Sequence, residues 1–283
     1  MNIDDAHLRG WEGRAETLTD VVALHPLRGL AALLDRPFDE RAGDELPMPA
    51  HWLYFLPAAR QSELGEDGHP RRGGFLPPVP LPRRMWAGSR IEFHQTLRVG
   101  QEISRTSRIA AVSSKQGRSG ALVFVRVSHD IHSGGILAIT EEQDIVYRDT
   151  PQAGAAPAST PAPIDATWTR EISPDPVLLF RYSALTFNAH RIHYDRAYAT
   201  QVEHYPGLVV HGPLIATLLL DLVHRSMPAA RVRRFSFRAV SPLFDQARFF
   251  VCGKPDPREP GSLRLWAQDE AGMLALEAHA QLA

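Results

Sequence analysis

Side chains suited to proton transfer lie close together in the second half of the sequence. Asn188, His190 and His193 occur within a short segment, and Asp195 follows them. Imidazole is the side chain best suited to moving protons near neutral pH. Two imidazoles at i and i+3, next to an amide, therefore predict general acid–base chemistry in this segment.

The same two histidines also suggest an alternative, a metal site. Zinc sites combine three or four His, Cys or carboxylate ligands, so His204 or His211 would have to supply a third ligand. The segment offers no carboxylate beyond Asp195 to support such ligands, and an H-x-x-H pattern is common by chance. We therefore expect no metal and no cofactor.

A glycine and a proline precede a run of apolar residues from Leu214 to His224. Proline suits the first helical turn because it has no amide hydrogen to lose, so we expect a helix to begin at Gly212 and Pro213. The first amide hydrogens of a helix lack internal partners, and the helix dipole makes that end positive. The N–H of Gly212 is therefore a suitable donor for a carbonyl oxygen that gains charge. A plain glycine turn is the alternative.

The predicted helix is apolar on nearly every face, and only Thr217 and Asp221 interrupt it. Such a helix must be surrounded by other elements. Alternation of apolar and polar residues predicts the strands that could surround it: 233–239, 247–252, 263–268 and 273–280. Clusters of Pro, Gly and Asp separate these strands, which is typical of an antiparallel meander.

The first half of the chain ends in a similar run of predicted strands: 103–112, 121–131 and 136–147. We infer an internal duplication of one architecture, a curled sheet around a central helix. A segment rich in Ala and Pro, 150–163, cannot build a buried face and predicts a linker. We therefore expect two domains, 1–149 and 164–283.

The segment between Gly65 and Arg90 is unusually rich in proline and arginine. Five prolines and four arginines between Gly68 and Trp86 predict an irregular loop. Such a loop in a compact domain is often functional. Two interpretations stay open: a proline-stiffened surface loop, or a lid whose arginines meet phosphates or a carboxylate.

Composition and the absence of several motifs exclude other classes. The 283 residues carry 31 basic and 32 acidic side chains, a net charge of −1 that argues against nucleic-acid or membrane-surface binding. One cysteine, Cys252, excludes an internal disulfide, and we expect a cytoplasmic protein. We expect no signal peptide at Met1–Asp5 and no membrane span in 208–222. The sequence has no G-x-S-x-G, P-loop or G-x-G-x-x-G motif.

A longer pattern resembles a known family. The stretch Tyr182-Ser-Ala-Leu-Thr-Phe-Asn-Ala-His-Arg-Ile-His193, followed by Gly207 and His211-Gly212-Pro213, resembles the hydratase motif of MaoC-like, (R)-specific enoyl-thioester hydratases and dehydratases. It is most similar to the branch of hydroxyacyl-thioester dehydratase type 2 and mesaconyl-C4-coenzyme A hydratase. Four segments of the first half are similar to the N-terminal domain of that branch: 51–56, 68–78, 83–88 and 141–147.

The resemblance implies a fold and a reaction. The fold is α+β, a double hotdog in which two antiparallel sheets are each wrapped around a long central helix. The reaction is the reversible addition of water across a double bond that is conjugated to a thioester. The first domain would bind the substrate and coenzyme A, and the second would carry the catalytic motif.

The resemblance also implies the roles of the site residues. His193 transfers protons, Asn188 orients the water molecule, and the Gly212 N–H stabilises the thioester oxygen. The family has Asp where this sequence has Asn188, and an amide cannot accept a proton as a carboxylate does. Either His193 acts alone or another carboxylate substitutes. We expect these residues to bind substrate: His190 and Arg191, which replace the usual Asn and Pro, with Tyr182, His211, Arg83, Arg84 and Trp86.

The branch also suggests the acyl group. Our first expectation is a branched C5 dicarboxylic acyl-CoA, such as mesaconyl-C4-CoA or itaconyl-CoA, which needs a cation at the far end of the pocket. The candidate cations are Arg71, Arg72, Arg83, Arg84 and Arg191. The alternatives are a fatty acyl group on CoA or acyl carrier protein, a hotdog acyl-CoA thioesterase, and a non-catalytic acyl-binding or scaffold protein.

Two further expectations concern coenzyme A and assembly. The phosphates of coenzyme A need surface cations, which Arg231, Arg233 and Arg234 could supply, although a solvated outer strand face explains these arginines equally well. Two hotdogs in one chain predict a monomer or a homodimer.

Overall fold

The described residues of the first half form five strands and two α-helices. The computed structural model describes residues 3–117, 120–149 and 160–283. The elements of the first half are α1 (Asp5–Arg9), β1 (Ala15–Val21), α2 (Leu24–Leu33), β2 (Arg83–Phe93), β3 (Glu102–Gly117), β4 (Gly120–Ser133) and β5 (Ile136–Arg148). The strands predicted over 103–147 are therefore confirmed, and each extends slightly further.

The second half repeats the order of one strand, a helical region and four strands, with both of its α-helices after its first strand. Its elements are β6 (Trp168–Ile172), α3 (Pro176–Thr186), α4 (Gly212–Ser226), β7 (Val232–Ala239), β8 (Phe249–Pro255), β9 (Ser262–Asp269) and β10 (Leu274–Leu282). The helix predicted to begin at Gly212 and the four predicted strands that follow it are confirmed. None of the helices in the described ranges has the length and hydropathy needed to cross a lipid bilayer.

The ten strands in the described part of the chain form one antiparallel sheet, in the order β1-β3-β4-β5-β2-β7-β10-β9-β8-β6. From each outer edge inward, the two halves have the same connectivity, because β1, β3, β4, β5 and β2 correspond to β6, β8, β9, β10 and β7. The inferred internal duplication is therefore confirmed by strand order. The two predicted sheets are the two halves of this continuous sheet.

The two halves join where β2 pairs with β7, from Gly88 opposite Arg238 to Glu92 opposite Arg234. Gly88 is required at this junction, because a Cβ atom there would lie 2.4 Å from the carbonyl oxygen of Phe237. Strand β2 also corrects one prediction. Residues 83–86, which we expected to be irregular, form its first part and pair with β5. The prolines end before Arg83, so the arginines that follow are free to join a ladder.

Helix α4 is surrounded as its apolar sequence requires. Every residue from Leu214 to Val223 is buried, and the helix packs against β2, β6, β8, β9 and β10. Helix α2 is shorter, with ten residues against fifteen in α4. It ends at Leu33 with Leu34 as its C-cap, because Asp35 adopts a left-handed backbone (φ 52°) and Arg36 precedes a proline. Side chains from both helices belong to one hydrophobic core.

The predicted linker, 150–163, lies mostly outside the described residues. Its last residues pair with the start of β10, since Thr160 accepts from the N–H of Leu274 at 2.7 Å and Ala162 donates to Gly272 at 2.9 Å. The domain boundaries 1–149 and 164–283 stay predictions.

A buried carboxylate holds three elements together around α4. The Asp221 side chain is 1% exposed and pairs with Arg170 of β6 at 2.6 Å, Arg225 of α4 at 2.7 Å and Arg36 beyond α2 at 3.3 Å. A buried carboxylate is stable only when cations and hydrogen bonds compensate the loss of water. Asp221 therefore links the first half of the chain to the second.

We expect Asp221→Asn to lower the free energy of unfolding by about 2–3 kcal/mol, because three arginines lose their shared counter-ion. Urea denaturation of the full chain measures this. The matched control is Glu277→Gln, which removes an exposed pair with Arg238 and should cost less than about 1 kcal/mol. Equal losses in the two variants would contradict the linking role of Asp221.

Candidate active site

The end of helix α3 leads directly into the predicted catalytic segment. The helix begins at a capped turn, in which Asp175 accepts from the N–H of Leu178 at 2.8 Å. It ends at Phe187, which adopts a left-handed backbone (φ 47°). The side-chain oxygen of Asn188 then accepts from the N–H of His190 at 3.0 Å. This turn directs the chain into a short 3₁₀ helix, Arg191–His193.

His193 is buried, with 7% of its surface exposed. Its Nδ1 lies 2.7 Å from the carbonyl oxygen of Val209. A carbonyl can only accept a hydrogen bond, so Nδ1 carries the proton and Nε2 of the neutral ring keeps its lone pair. The second ring nitrogen is therefore available as a base.

His211 brings the start of helix α4 to the same place. It occupies the position before the helix, and its ring stacks on that of His193 with 3.6 Å between centroids and 18° between planes. Its Nε2 lies 2.9 Å from Ser183 Oγ, and its ring meets Tyr182 edge-on at 5.1 Å. Residues of α3 and of the 3₁₀ helix thus both contact His211 at the start of α4.

Gly212 follows His211 and begins the helix. The first hydrogen bond of this helix runs from the N–H of Ile215 to the carbonyl of His211, at 3.1 Å. The Gly212 N–H precedes that bond and Pro213 has no amide hydrogen, so the Gly212 donor lies at the positive end of the helix. The nearest atom to a Cβ built on Gly212 is the carbonyl oxygen of Trp86, at 3.7 Å. Strand β2 therefore borders the donor.

The histidines at this site are held neutral. Burial lowers the pKa of His193 to about 4, although its hydrogen bond to Val209 opposes the shift. Burial lowers the pKa of His211 and of His190 well below the ordinary value, and neighbouring histidines add to both shifts. Neutral imidazole is the form that accepts a proton, so burial maintains the base form of His193 at neutral pH.

A loop of the first half covers the catalytic segment. The N–H of Arg191 donates to the carbonyl of Asp67 at 2.9 Å, and the rings of His69 and His190 lie 4.4 Å apart. Gly68 lets the loop come this close: it has a positive φ of 87°, and a Cβ atom there would lie 1.9 Å from the carbonyl oxygen of Ala189. The site is therefore built from both halves of the chain.

Two of the predicted substrate-binding arginines are engaged in ion pairs. Arg83 is buried, its Nε lies 2.8 Å from Glu203, and its guanidinium stacks over Tyr205. Arg191 pairs with Asp195 at 2.7 Å and donates to the carbonyl of Glu66. Their charges are therefore already compensated by carboxylates.

The other predicted cations differ in their surroundings. Arg72 donates to the carbonyl groups of Val79, Leu81 and Pro82. These three hydrogen bonds stabilise the proline-rich loop. Arg71 is exposed and donates to Leu64. Arg84 of β2 is half-buried. Arg231, Arg233 and Arg234 are exposed and pair with Glu45 or Glu92, as expected for a solvated outer face.

Trp86 is anchored within the first half. Its ring N–H donates to Ser89 Oγ at 2.9 Å and to the carbonyl of Gly88 at 3.1 Å. Ser89 in turn donates to the buried carboxylate of Glu141 at 2.8 Å. Burial alone would raise the pKa of Glu141, but hydrogen bonding and the charge of His51 lower it to about 2. The ionised Glu141 and its hydrogen-bonded partners therefore position the part of β2 that lies beside Gly212.

Sequence reasoning assigned no role to His69, Asp67 or Ser183. His69 and Asp67 lie within the proline-rich segment, and only the contact between halves brings them to His190. Together with His190, their ligand atoms lie within 4.8 Å of one another, a donor set that suits a metal ion. The alternative considered above combined His190 and His193 with His204 or His211. Of those residues only His190 belongs to this set, and His204 is exposed. Arg84 lowers the pKa of His69 and His190 through its charge, which also opposes a cation there.

A cavity of about 710 Å³ lies away from this cluster. It extends across β2, β7, β9 and β10 beside Pro161–Pro163, and its lining includes Arg90, Arg238 and Arg264. His193 and Gly212 do not line it. The candidate active site is instead a packed cluster beneath the loop that contains Gly68.

We expect the His193 imidazole to remain neutral down to about pH 4 and to titrate there, rather than near 6.5. Burial makes the charged ring costly, so its proton binds only at higher acidity. Nitrogen-15 NMR titration of the histidine side chains measures this, and a His193→Gln variant assigns the signal. A midpoint near 6.5 would contradict the geometry.

Comparisons with known proteins identify the family of this chain. Residues 49–245 match the family model for hydroxyacyl-thioester dehydratase type 2. The chain is 48% identical to a mesaconyl-C(4)-CoA hydratase from Chloroflexus aurantiacus over 286 aligned positions, which cover 99% of each protein.

Solved structures confirm the fold. A MaoC-like dehydratase superposes with a TM-score of 0.73 at 14% identity, covering 97% of this chain and 99% of the other. A Mycobacterium tuberculosis protein described as a double hotdog superposes with a TM-score of 0.58 at 13% identity, covering 96% of each chain. The predicted α+β double hotdog is therefore confirmed, and the chain belongs to the hydroxyacyl-thioester dehydratase type 2 family.

Proposed function

We propose that this protein catalyses the reversible hydration of an enoyl-CoA, acting as a carbon–oxygen hydro-lyase on a branched C5 dicarboxylic acyl-CoA such as mesaconyl-C4-CoA. The observation that carries the reaction is the buried contact of His193 with the start of helix α4, which brings a base beside an oxyanion donor. The mesaconyl-C(4)-CoA hydratase that matches the chain from end to end supports the acyl group.

In the proposed reaction, His193 acts as the base. The oxygen of water bonds to the β carbon of the enoyl group while one water proton moves to Nε2 of His193. The electron pair of the double bond shifts toward the thioester and forms an enolate. If addition is syn, the resulting imidazolium then protonates the α carbon and the ring returns to its neutral form. The reverse sequence eliminates water.

The start of helix α4 stabilises the enolate. The N–H of Gly212 donates to the thioester oxygen as that oxygen gains negative charge, and the helix dipole adds to the effect. The glycine leaves space for the thioester between the helix and the carbonyl of Trp86. Tyr182 and His211 line the same corner and hold the catalytic ring in its orientation.

Asn188 takes the position of the usual family carboxylate. Its side-chain oxygen is engaged with the N–H of His190, so its amide nitrogen is the group left to donate to the oxygen of the attacking water. Within the described residues, the only hydrogen bond of the His193 side chain is to the carbonyl of Val209. We therefore assign both proton transfers to His193.

The first half contributes to substrate binding in this proposal. Its Gly68 loop acts as a lid over the histidines, and its β2 wall borders the thioester. Exposed arginines at 231, 233 and 234 are candidates for the phosphates of coenzyme A. A cytoplasmic location and a monomeric or homodimeric state stay predictions from the sequence.

A dehydratase that acts on a fatty hydroxyacyl thioester is the second candidate, because the matching family model is described as hydroxyacyl-thioester dehydratase type 2, which does not specify the acyl group. A thioesterase is the third. Asp221, the carboxylate on the central helix, is bound by three arginines and is far along the helix from Gly212. Assays that follow enoyl absorbance and free thiol together distinguish these reactions, since hydration releases no thiol.

We expect His193→Gln to lower kcat for hydration of mesaconyl-C4-CoA about 10²- to 10⁴-fold, because the variant lacks the general base. Loss of enoyl absorbance measures the rate, and thermal unfolding verifies the fold. The matched control is His94→Gln on an exposed position, which should retain the wild-type rate. A folded His193→Gln variant with near-normal turnover would overturn the assignment.

We expect Gly212→Ala to fold normally and to lower kcat/KM about 10- to 100-fold. The nearest atom to the added Cβ is 3.7 Å away, an ordinary contact, and Gly212 has no positive φ. The new methyl group keeps the N–H but displaces the thioester from it. Steady-state kinetics with a circular dichroism control test this, and an unchanged kcat/KM would remove Gly212 from the proposed site.

A further inference from the structure

One buried ring nitrogen beside the proposed base has no hydrogen-bond partner. It is Nδ1 of His211, a residue that is 1% exposed, and no described residue of the chain bonds to it. His211 precedes helix α4, but its side chain forms no capping hydrogen bond with that helix. Buried polar atoms in proteins are nearly always hydrogen-bonded. An unpartnered one at this place therefore suggests a group that binds substrate.

The contact with Ser183 fixes the orientation of the His211 ring. Nε2 of His211 lies 2.9 Å from Ser183 Oγ. If the ring were turned over about its bond to Cβ, a carbon atom would face the hydroxyl and this hydrogen bond would be lost. The hydrogen bond at Nε2 therefore determines on which side of the ring Nδ1 lies.

The same contact determines the tautomer of His211. Burial, together with the charges of His193 and His190, lowers the pKa of His211 well below its ordinary value, so the ring is neutral and carries one proton. If the Ser183 hydroxyl donates to Nε2, that proton is on Nδ1. In the opposite arrangement the buried hydroxyl proton of Ser183 would have no acceptor among the described residues. The first arrangement leaves fewer buried groups unpaired, so Nδ1–H is a donor without an acceptor.

This donor lies close to both parts of the proposed site. Five covalent bonds join Nδ1 of His211 to the backbone nitrogen of Gly212, which limits their separation to about 6 Å. The His211 ring also stacks on that of His193 with 3.6 Å between centroids, so Nδ1 lies within a few ångströms of the proposed base. In an enoyl thioester only the α carbon separates the carbonyl group from the β carbon. A donor to the carbonyl oxygen must therefore be near the base that activates water.

We propose that Nδ1–H of His211 is a second donor of the oxyanion hole and acts with the Gly212 N–H on the thioester oxygen. This role rests on the proposed hydratase function. As water adds to the β carbon, the oxygen gains negative charge and both fixed donors stabilise it. Because the His211 ring is neutral, it adds no positive charge beside His193, whose ring becomes cationic in the same step.

Two substitutions of His211 separate the donor from the contact with Ser183. The side-chain amide of asparagine has the reach of Nδ1, whereas that of glutamine has the reach of Nε2. We expect His211→Gln to keep the Ser183 contact and to lower kcat for hydration of mesaconyl-C4-CoA about 10²- to 10³-fold. His211→Asn, which restores an N–H near the position of Nδ1, should retain kcat within about tenfold of the wild type.

Thermal unfolding verifies that both variants fold. A His211→Gln variant at least as active as His211→Asn would overturn the proposal, because the contact with Ser183 and not the donor would then determine the rate. Nitrogen-15 NMR of the wild-type protein is independent of any variant. It should show the His211 proton on Nδ1, and a proton on Nε2 would overturn the proposal.

A bound saturated analogue tests the donor without catalysis. Methylsuccinyl-C4-CoA, labelled with carbon-13 at its thioester carbon, reports the hydrogen bonds to the oxygen through the infrared stretching frequency of the carbonyl. We expect binding to lower this frequency, and to lower it less in His211→Gln than in the wild type. Equal shifts in the two proteins would overturn the role of His211. Wild-type protein that shows the His211-dependent shift but hydrates no enoyl-CoA would instead overturn the proposed function.

Discussion

The hydrogen bond between His193 and the carbonyl of Val209 is the constraint on which the site depends. It leaves the proton on Nδ1 and the lone pair on Nε2, while burial keeps the ring neutral. It also connects the segment after α3 to the segment that enters α4. The base and the positive end of the helix therefore keep a fixed relation, which an imidazole on a free loop would lack.

The two halves of the chain have the same topology but different interiors. The second half provides the imidazoles and the helix start, whereas the first provides an ionised Glu141 that is held by His51, Trp52 and Ser89. Such a carboxylate cannot accept a proton near neutral pH, because the pKa of Glu141 is lowered to about 2. The first half thus supplies strand β2 and a covering loop to the site at which we propose that the reaction takes place, in the second half.

Periodicity predicted the strands after α4 and the helix itself, because a two-residue or fully apolar pattern is a local property. The resemblance to a family motif, rather than periodicity, indicated that His193, His211 and Gly212 belong to one site. The start of β2 was not predicted, because the prolines that precede Arg83 indicated an irregular loop. His69 and Asp67 were missed because their approach to His190 depends on a contact between the halves, where Gly68 leaves no room for a side chain. The ion pairs of Arg83 with Glu203 and of Arg191 with Asp195 were likewise not predicted, because they form only in the folded chain.

The pairing of β2 with β7 has a consequence for the independence of the two halves. A separated half would present a strand edge with unpaired N–H and C=O groups, which invites association with other chains. In this chain the edge of β2 is paired with β7, a strand of different sequence. In a symmetric pair of identical subunits every side chain occurs twice, whereas in this chain Glu141 belongs to the first half alone and His193 to the second half alone.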